Sequence, residues 1–169
     1  SDLQVYARGL RNSYDLAFTT SGLLVASDNG PEEGNPPHMF DEINVIVEGG
    51  NYGYPDYFSI PPEGSGTIAP AYLLPPHVAP TGIVEYASGQ FPSKYHGKLF
   101  LSLFMTNLEG SKVVEITLDE TQPEVTATVE DFATGFLTPI DVAVDSKGRL
   151  YVADYVGGQV YQISYTGAA

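Results

Sequence analysis

An all-β fold is what this sequence predicts: a β-propeller of four-stranded antiparallel blades, with about three blades in the chain, half of a six-bladed ring. Three observations point there. Short runs of β-branched and aromatic residues recur along the whole chain, separated by Gly, Pro, Asn and Asp, the pattern of strands and tight turns. The opening stretch returns in register 126 residues later, pairing Asp15 with Asp141, Ala7 with Ala133, Gly9 with Gly135, Ala17 with Ala143, Gly22 with Gly148, Leu24 with Leu150 and Asp28 with Asp154. A looser copy lies between them, where Gly97, Leu99 and Phe100 answer to Gly148, Leu150 and Tyr151. Three copies over that spacing give about 42 residues per unit, within the roughly 40 to 45 of a four-stranded blade.

Taken in order, the first blade spans about residues 13–76, with strands at YDLAF, LLVAS and INVIV and an outer strand inside the Gly- and Pro-punctuated stretch 54–76. The second, about 80–134, carries GIVEY, LFLSLF, KVVEITL and TATVEDF, with an insertion after its first strand. The third, about 138–165, supplies only IDVAV, RLYVAD and QVYQIS. TSG, SKG and GG supply turns, and no segment carries the period of a long amphipathic helix. LQVYA stands before the first blade as VEDFA stands before the third. Residues 2–7 therefore read as the outer strand of a preceding blade, and the third blade lacks an outer strand of its own. Three blades in a row would expose apolar faces and an unpaired edge. The ring is expected to be completed from outside, by a second copy joined head to tail, three blades plus three, or by an N-terminal half.

Composition narrows the partners. Seven Lys and Arg against 21 Asp and Glu give a formal charge of −14, which would repel nucleic-acid phosphates and anionic lipid surfaces. Neither nucleic acid nor membrane is expected as a partner. Converging carboxylates and carbonyls would suit a hard cation such as Ca²⁺. There is no Cys, so thiolate chemistry and Cys-based metal centres are excluded. No apolar run approaches the roughly 18 residues of a membrane span, and SDLQVY lacks the basic and apolar regions of a signal peptide.

The densest chemistry lies in GLRNSYD, SDNGPEEGNPPHMFDEINVIVEGGNYGYP and HVAPTGIVEY. In this ordered set, continued by GKLFLSLF and PIDVAVDSKGRLYVADYVGGQVYQI, the sequence resembles the soluble quinoprotein glucose dehydrogenases, a family that includes aldose sugar dehydrogenases and glucose/sorbosone dehydrogenases. The likeness covers nearly the whole chain and corresponds to the C-terminal half of that family's six-bladed propeller. It implies pyrroloquinoline quinone on the ring axis, Ca²⁺ bridging it to the protein, and oxidation of an aldose C1 hydroxyl by hydride transfer. It also implies a secreted or periplasmic location.

By the same resemblance, Arg11 and Asn12 match the pair that faces the cofactor, and a guanidinium suits that place because it offers a fixed fork of donors. His77 matches a residue before a blade's inner strand that could face the axis. Gly30 and Pro31 match the loop whose carbonyls hold the cofactor's Ca²⁺, and Asp41 and Glu42 with Tyr52 match a second, structural Ca²⁺ site. Read singly, these residues fit a surface arginine, a turn and an exposed acidic pair as well. His38 and His96 carry no signal, and no catalytic residue is assigned, because the family's catalytic His lies in the N-terminal half. Three departures stand out. The insertion EEGNPPHMF is longer than in the glucose dehydrogenases; Glu109 stands near a usually cationic position, with Lys112 displaced; and Thr138 stands where Arg is frequent. Two functions follow: part of a quinone-dependent sugar dehydrogenase, or a non-catalytic Ca²⁺-binding propeller for carbohydrate or protein.

Overall fold

The computed structural model describes residues 2–32, 40–104 and 111–167. Eleven strands are β1 (Ser13–Phe18), β2 (Leu24–Asp28), β3 (Phe40–Ile46), β4 (Tyr72–Pro76), β5 (Pro80–Glu85), β6 (Leu99–Leu103), β7 (Ser111–Asp119), β8 (Thr126–Phe136), β9 (Pro139–Val144), β10 (Leu150–Asp154) and β11 (Gln159–Ile163). They form three antiparallel sheets in the orders β1-β2-β3-β4, β5-β6-β7-β8 and β9-β10-β11. The only helical turn among the described residues is a 3₁₀ turn at Ser93–Tyr95, inside the insertion after β5.

The internal repeat is physical as well as textual. In the first sheet the Thr19 N–H bonds the Leu23 carbonyl at 2.8 Å and the Gly22 N–H bonds Thr19 at 2.9 Å. In the third, Asp145 and Arg149 make the same bond at 3.0 Å and Gly148 closes on Asp145 at 2.9 Å. Gly22 and Gly148 sit at φ +96° and +79°, a left-handed conformation that glycine adopts without a Cβ clash. In the middle sheet Tyr86 bonds the Lys98 carbonyl at 2.8 Å and Gly97, at φ +77°, bonds Tyr86 at 2.9 Å. That places the Gly97 match where the other two repeats turn.

Each sheet packs face to face on the next, with β1, β5 and β9 as adjacent inner strands. One core joins Val25, Ile43 and Leu74 of the first sheet to Ile83, Leu101 and Ile116 of the second. Another joins Tyr86, Phe91 and Phe100 to Val142, Leu150 and Val152 of the third. Along β6, Leu99 and Leu101 serve the first core and Phe100 the second, so all five of its residues are buried. Its apolar run, broken by the buried Ser102, is thus a strand buried on both faces rather than an alternating one.

The outward faces of the end sheets are different. Leu16 and Phe18 on β1 are 54% and 73% exposed, and Val160 on β11 is 69% exposed. Residues 2–7 join no ladder among the described residues; they run beside the Gly49–Tyr54 turn, where the Gly49 N–H bonds the Tyr6 carbonyl at 2.7 Å and the Arg8 N–H bonds Gly50 at 2.9 Å. The strand expected in the stretch 54–76 is β4, which lies at the sheet edge and carries Pro75 and Pro76, as an edge tolerates missing donors. β8 extends to Phe136, two residues past the boundary the sequence suggests.

Candidate functional site

Arg11 and Asn12 precede β1, and their backbone N–H groups donate to the two carboxylate oxygens of Asp28 at the end of β2, at 3.0 Å and 2.6 Å. The third sheet repeats this bracket: the N–H groups of Leu137 and Thr138 donate to Asp154 at 2.7 Å and 2.9 Å. In the middle sheet Leu103 stands opposite Pro80, as Asp28 stands opposite Ser13. A shared backbone bond marks the same end of all three inner hairpins: Asn29 to Asn12 at 3.1 Å, Phe104 to Ala79 at 3.0 Å and Tyr155 to Thr138 at 2.9 Å. The loops carrying Arg11, His77 and Thr138 therefore open at one end of the inner strands.

At that end the first two blades enclose a cavity of about 390 Å³ bordered by Arg11, Asn12, Gly30, Asp41 and His77. Arg11 is held by its Nη1, which donates to the Asn29 carbonyl at 3.0 Å. Asn29 in turn spans the blades, its Nδ2 donating to the Pro80 carbonyl at 2.9 Å. Asp41 lies between two loops: its Oδ1 accepts the Gly30 N–H at 2.7 Å and its Oδ2 the Ala79 N–H at 2.9 Å. Beneath is a smaller cavity of about 10 Å³, bordered by Arg11, Asp28, Gly30, Pro31, Glu42 and Tyr52, room for one water-sized group.

Glu42 accepts the Ser59 N–H at 2.8 Å and the Asn44 amide at 3.0 Å, while the buried Asn44 Oδ1 has no partner. The Tyr52 hydroxyl donates to the Val45 carbonyl at 2.6 Å and accepts the Val47 N–H at 3.0 Å. Its phenol is thus committed to the chain beside it, which leaves the main chain for any ligand. Burial pushes the Asp28, Asp41 and Glu42 carboxyls above their ordinary values, more than their N–H donors pull them back. At Asp154 burial also pushes upward, but the N–H groups of Leu137, Thr138 and Gly157 outweigh it and the carboxyl is lowered. The same bracket thus carries opposite shifts, because desolvation outweighs the N–H donors at Asp28 and not at Asp154, with the nearby Asp41 adding the least.

The cavities decide how well the implied groups fit. Arg11, Asn12 and His77 around one open space suit a flat, carboxylated quinone in kind, with Arg11 as its permanent cation; the carboxylates of Glu32 and Asp41 border the same space, Asp41 with both oxygens taken up by backbone N–H groups. The buried Asp28 and half-buried Glu42 beside a water-sized cavity suit a cation, although no cluster of three or more His, Asp or Glu is placed to hold a metal among the described residues. Any such site would lean on carbonyl oxygens. Thr138 Oγ1 accepts the Val156 N–H at 2.7 Å, and Lys112 pairs with Asp131 at 2.8 Å. His96 lies 6.3 Å from the Tyr86 ring, beside the second core. His38 and Glu109 fall outside the described residues. Sequence reasoning paired Asp28 with Asp154 without giving either a role, and missed Asn29 as a tie between blades. The shared N–H bracket was readable in the repeat; the blade-to-blade bond was not.

The fold and site together define a set of β-propeller blades with a polar cavity at one end of the inner strands. The profile of the glucose/sorbosone dehydrogenases matches residues 1–162, and the chain belongs to that family of oxidoreductases. It is 48% identical over 52 residues to quinoprotein glucose dehydrogenase B of Acinetobacter calcoaceticus, covering 31% of this chain and 10% of that protein. The solved apo-form of the soluble aldose sugar dehydrogenase from Escherichia coli superimposes with a TM-score of 0.68 at 26% identity, covering 88% of this chain and 43% of the other. The PQQ-bound aldose sugar dehydrogenase of Streptomyces coelicolor shares the fold, with a TM-score of 0.65 at 24% identity over 95% of this chain and 44% of its own. The chain spans half or less of the length of its curated relatives, 49% of one from Borreliella burgdorferi.

Proposed function

We propose that this chain is the part of a quinone-dependent aldose dehydrogenase that holds pyrroloquinoline quinone with Arg11, Asn12 and His77. The carbonyls of Gly30 and Pro31 would hold the Ca²⁺ that accompanies it, and Glu42 with the Tyr52 main chain a second, structural Ca²⁺; Asp41, expected beside them from the sequence, borders the other cavity with both oxygens taken by the Gly30 and Ala79 N–H groups. When bound, the quinone supplies a hydride acceptor for the C1 hydroxyl of an aldose. The protein's part is orientation: Asp28 fixes the backbone that presents Arg11 and Asn12, and Asn29 ties the two blades beneath. The observation that carries this reading is that Arg11, Asn12, Gly30 and His77, from three separate segments, border one cavity. The general base for the sugar is expected from the rest of the ring, so the isolated chain should bind quinone without turning over sugar. An exported location belongs to the same proposal; no described helix is long and apolar enough to cross a membrane.

Titrating the quinone into the purified chain with Ca²⁺, and following both its absorbance and dye reduction with glucose, tests this. Saturable uptake, weakened about tenfold or more by Arg11→Ala, supports it; no uptake at millimolar Ca²⁺ overturns it. The second reading, a non-catalytic Ca²⁺-binding propeller, draws on the way Lys112 and Thr138 are spent within their own blades, leaving the cavity few cations. It predicts Ca²⁺-dependent stability with no quinone uptake.

Completion of the ring belongs to this proposal too, through a second copy joined three blades to three or through an N-terminal half. The outward Leu16, Phe18 and Val160 are the surfaces that would be covered.

A further inference from the structure

Asp41 bonds both walls of the cavity with its carboxylate, beside the Asn29 tie to Pro80. It is the second residue of β3, 3% exposed, and each oxygen serves a different segment: Oδ1 the Gly30 loop that follows β2, and Oδ2 the Ala79 N–H in the crossing from β4 to β5. That crossing is held against its own preferences. His77 and Ala79 stand at φ +61° and +50°, a left-handed conformation that costs a non-glycine residue free energy and persists only where neighbours fix it. Two things fix it here: the buried Val78 side chain, packed into the core between the first and second blades, and the Asp41 carboxylate. His77 is thereby kept at the cavity that Gly30 also borders.

The geometry points to Asp41 as a positioning residue of the quinone cavity, fixing the Gly30 loop and the His77 crossing relative to each other through one shared carboxylate. It bridges the walls by accepting two backbone N–H groups and need not touch the ligand or the cation. A carboxylate is required because both oxygens must accept; an amide offers one acceptor and turns a donor toward the other N–H. This inference rests on the reading of the cavity as a quinone site, and it carries a readout that needs no quinone.

Amide hydrogen exchange in the ligand-free chain is that readout. Asp41→Asn should speed exchange at Gly30 and Ala79 together, by about tenfold or more, while Asp41→Glu restores much of the protection. Glu115→Gln, removing a buried carboxylate that pairs with Lys98 away from the cavity, should leave both amides unchanged. Quinone titration forms the second arm: affinity should fall about 10- to 100-fold in Asp41→Asn, the cost typical of losing a group that orients a binding residue, and stay at the wild-type value in Glu115→Gln. If Asp41→Asn does not fold, Asp41→Ser takes its place, with the paired exchange defect and the weaker quinone binding both expected. Unchanged exchange at both amides, or a change at only one, overturns the inference, as does wild-type quinone affinity in a variant whose amides have lost protection. A wild-type chain that takes up no quinone but shows the paired exchange defect would overturn the quinone reading and leave the bridging of the two loops established.

Discussion

The guanidinium of Arg149 lies against Asp145 in the turn between β9 and β10, and it is the largest of the influences that lower that carboxyl to about 2. The sign follows from linkage. A carboxylate whose folded value lies below its unfolded one contributes stability that is full above the ordinary 3.8 and is lost as pH falls toward 2. Asp145→Asn should therefore flatten the drop in melting temperature between those two values, with only a slight change at neutral pH, because the pair is half-exposed and screened by solvent. Glu42 makes a different prediction. If a cation occupies the small cavity, adding Ca²⁺ raises the melting temperature of the wild type and not of Glu42→Gln; equal shifts in both would remove Glu42 from the site. That Arg11, Asn12, Gly30 and His77 border one cavity is what side-chain type and order alone made legible. What could not be read was which groups serve the protein itself. The Tyr52 hydroxyl and both Asp41 oxygens are engaged by neighbouring backbone, and such bonds depend on loops brought together from distant sequence.

At the level of elements, the strand most committed to packing is β6. Truncating Leu101, fully buried in the first core, should cost about 2 to 5 kcal/mol in chemical denaturation, the usual range for such a cavity; a loss under about 1 kcal/mol would contradict the two-sided burial. The approach of inner strands sets a second limit. A Cβ at Gly82 would collide with Asp141 Oδ1 and lie 2.7 Å from the Asp141 Cα. Because the obstacle includes backbone, Gly82→Ala should spread β5 from β9 and destabilise by about 1 to 3 kcal/mol. The strands themselves were legible because turn residues and β-branched runs alternate so regularly, and because one repeat could be checked against another. The paired faces were less so: nothing in LFLSLF says that its leucines serve one core and Phe100 the other, since that is decided by the neighbouring blades. Residues 2–7 show the limit most plainly, having the composition of a strand and no ladder to join.

For the whole molecule, completion of the ring predicts a concentration-dependent mass. Light scattering on the purified chain should show a species of twice the 18.2 kDa chain mass if copies pair three blades to three. An elongated monomer at all concentrations would refute pairing and leave an N-terminal half as the completing piece. Substituting Leu16 and Phe18 together by polar residues should shift any such equilibrium toward monomer without lowering the stability of the cores, because both side chains already face outward. The open side also has a colloidal consequence. β11 presents an unpaired edge beside the exposed Val160, an arrangement that invites strand addition. A charge of −14 keeps copies apart at low ionic strength, but its reach shrinks to about 10 Å at 0.1 M salt. Added salt should therefore speed association at that edge before it affects the folded cores.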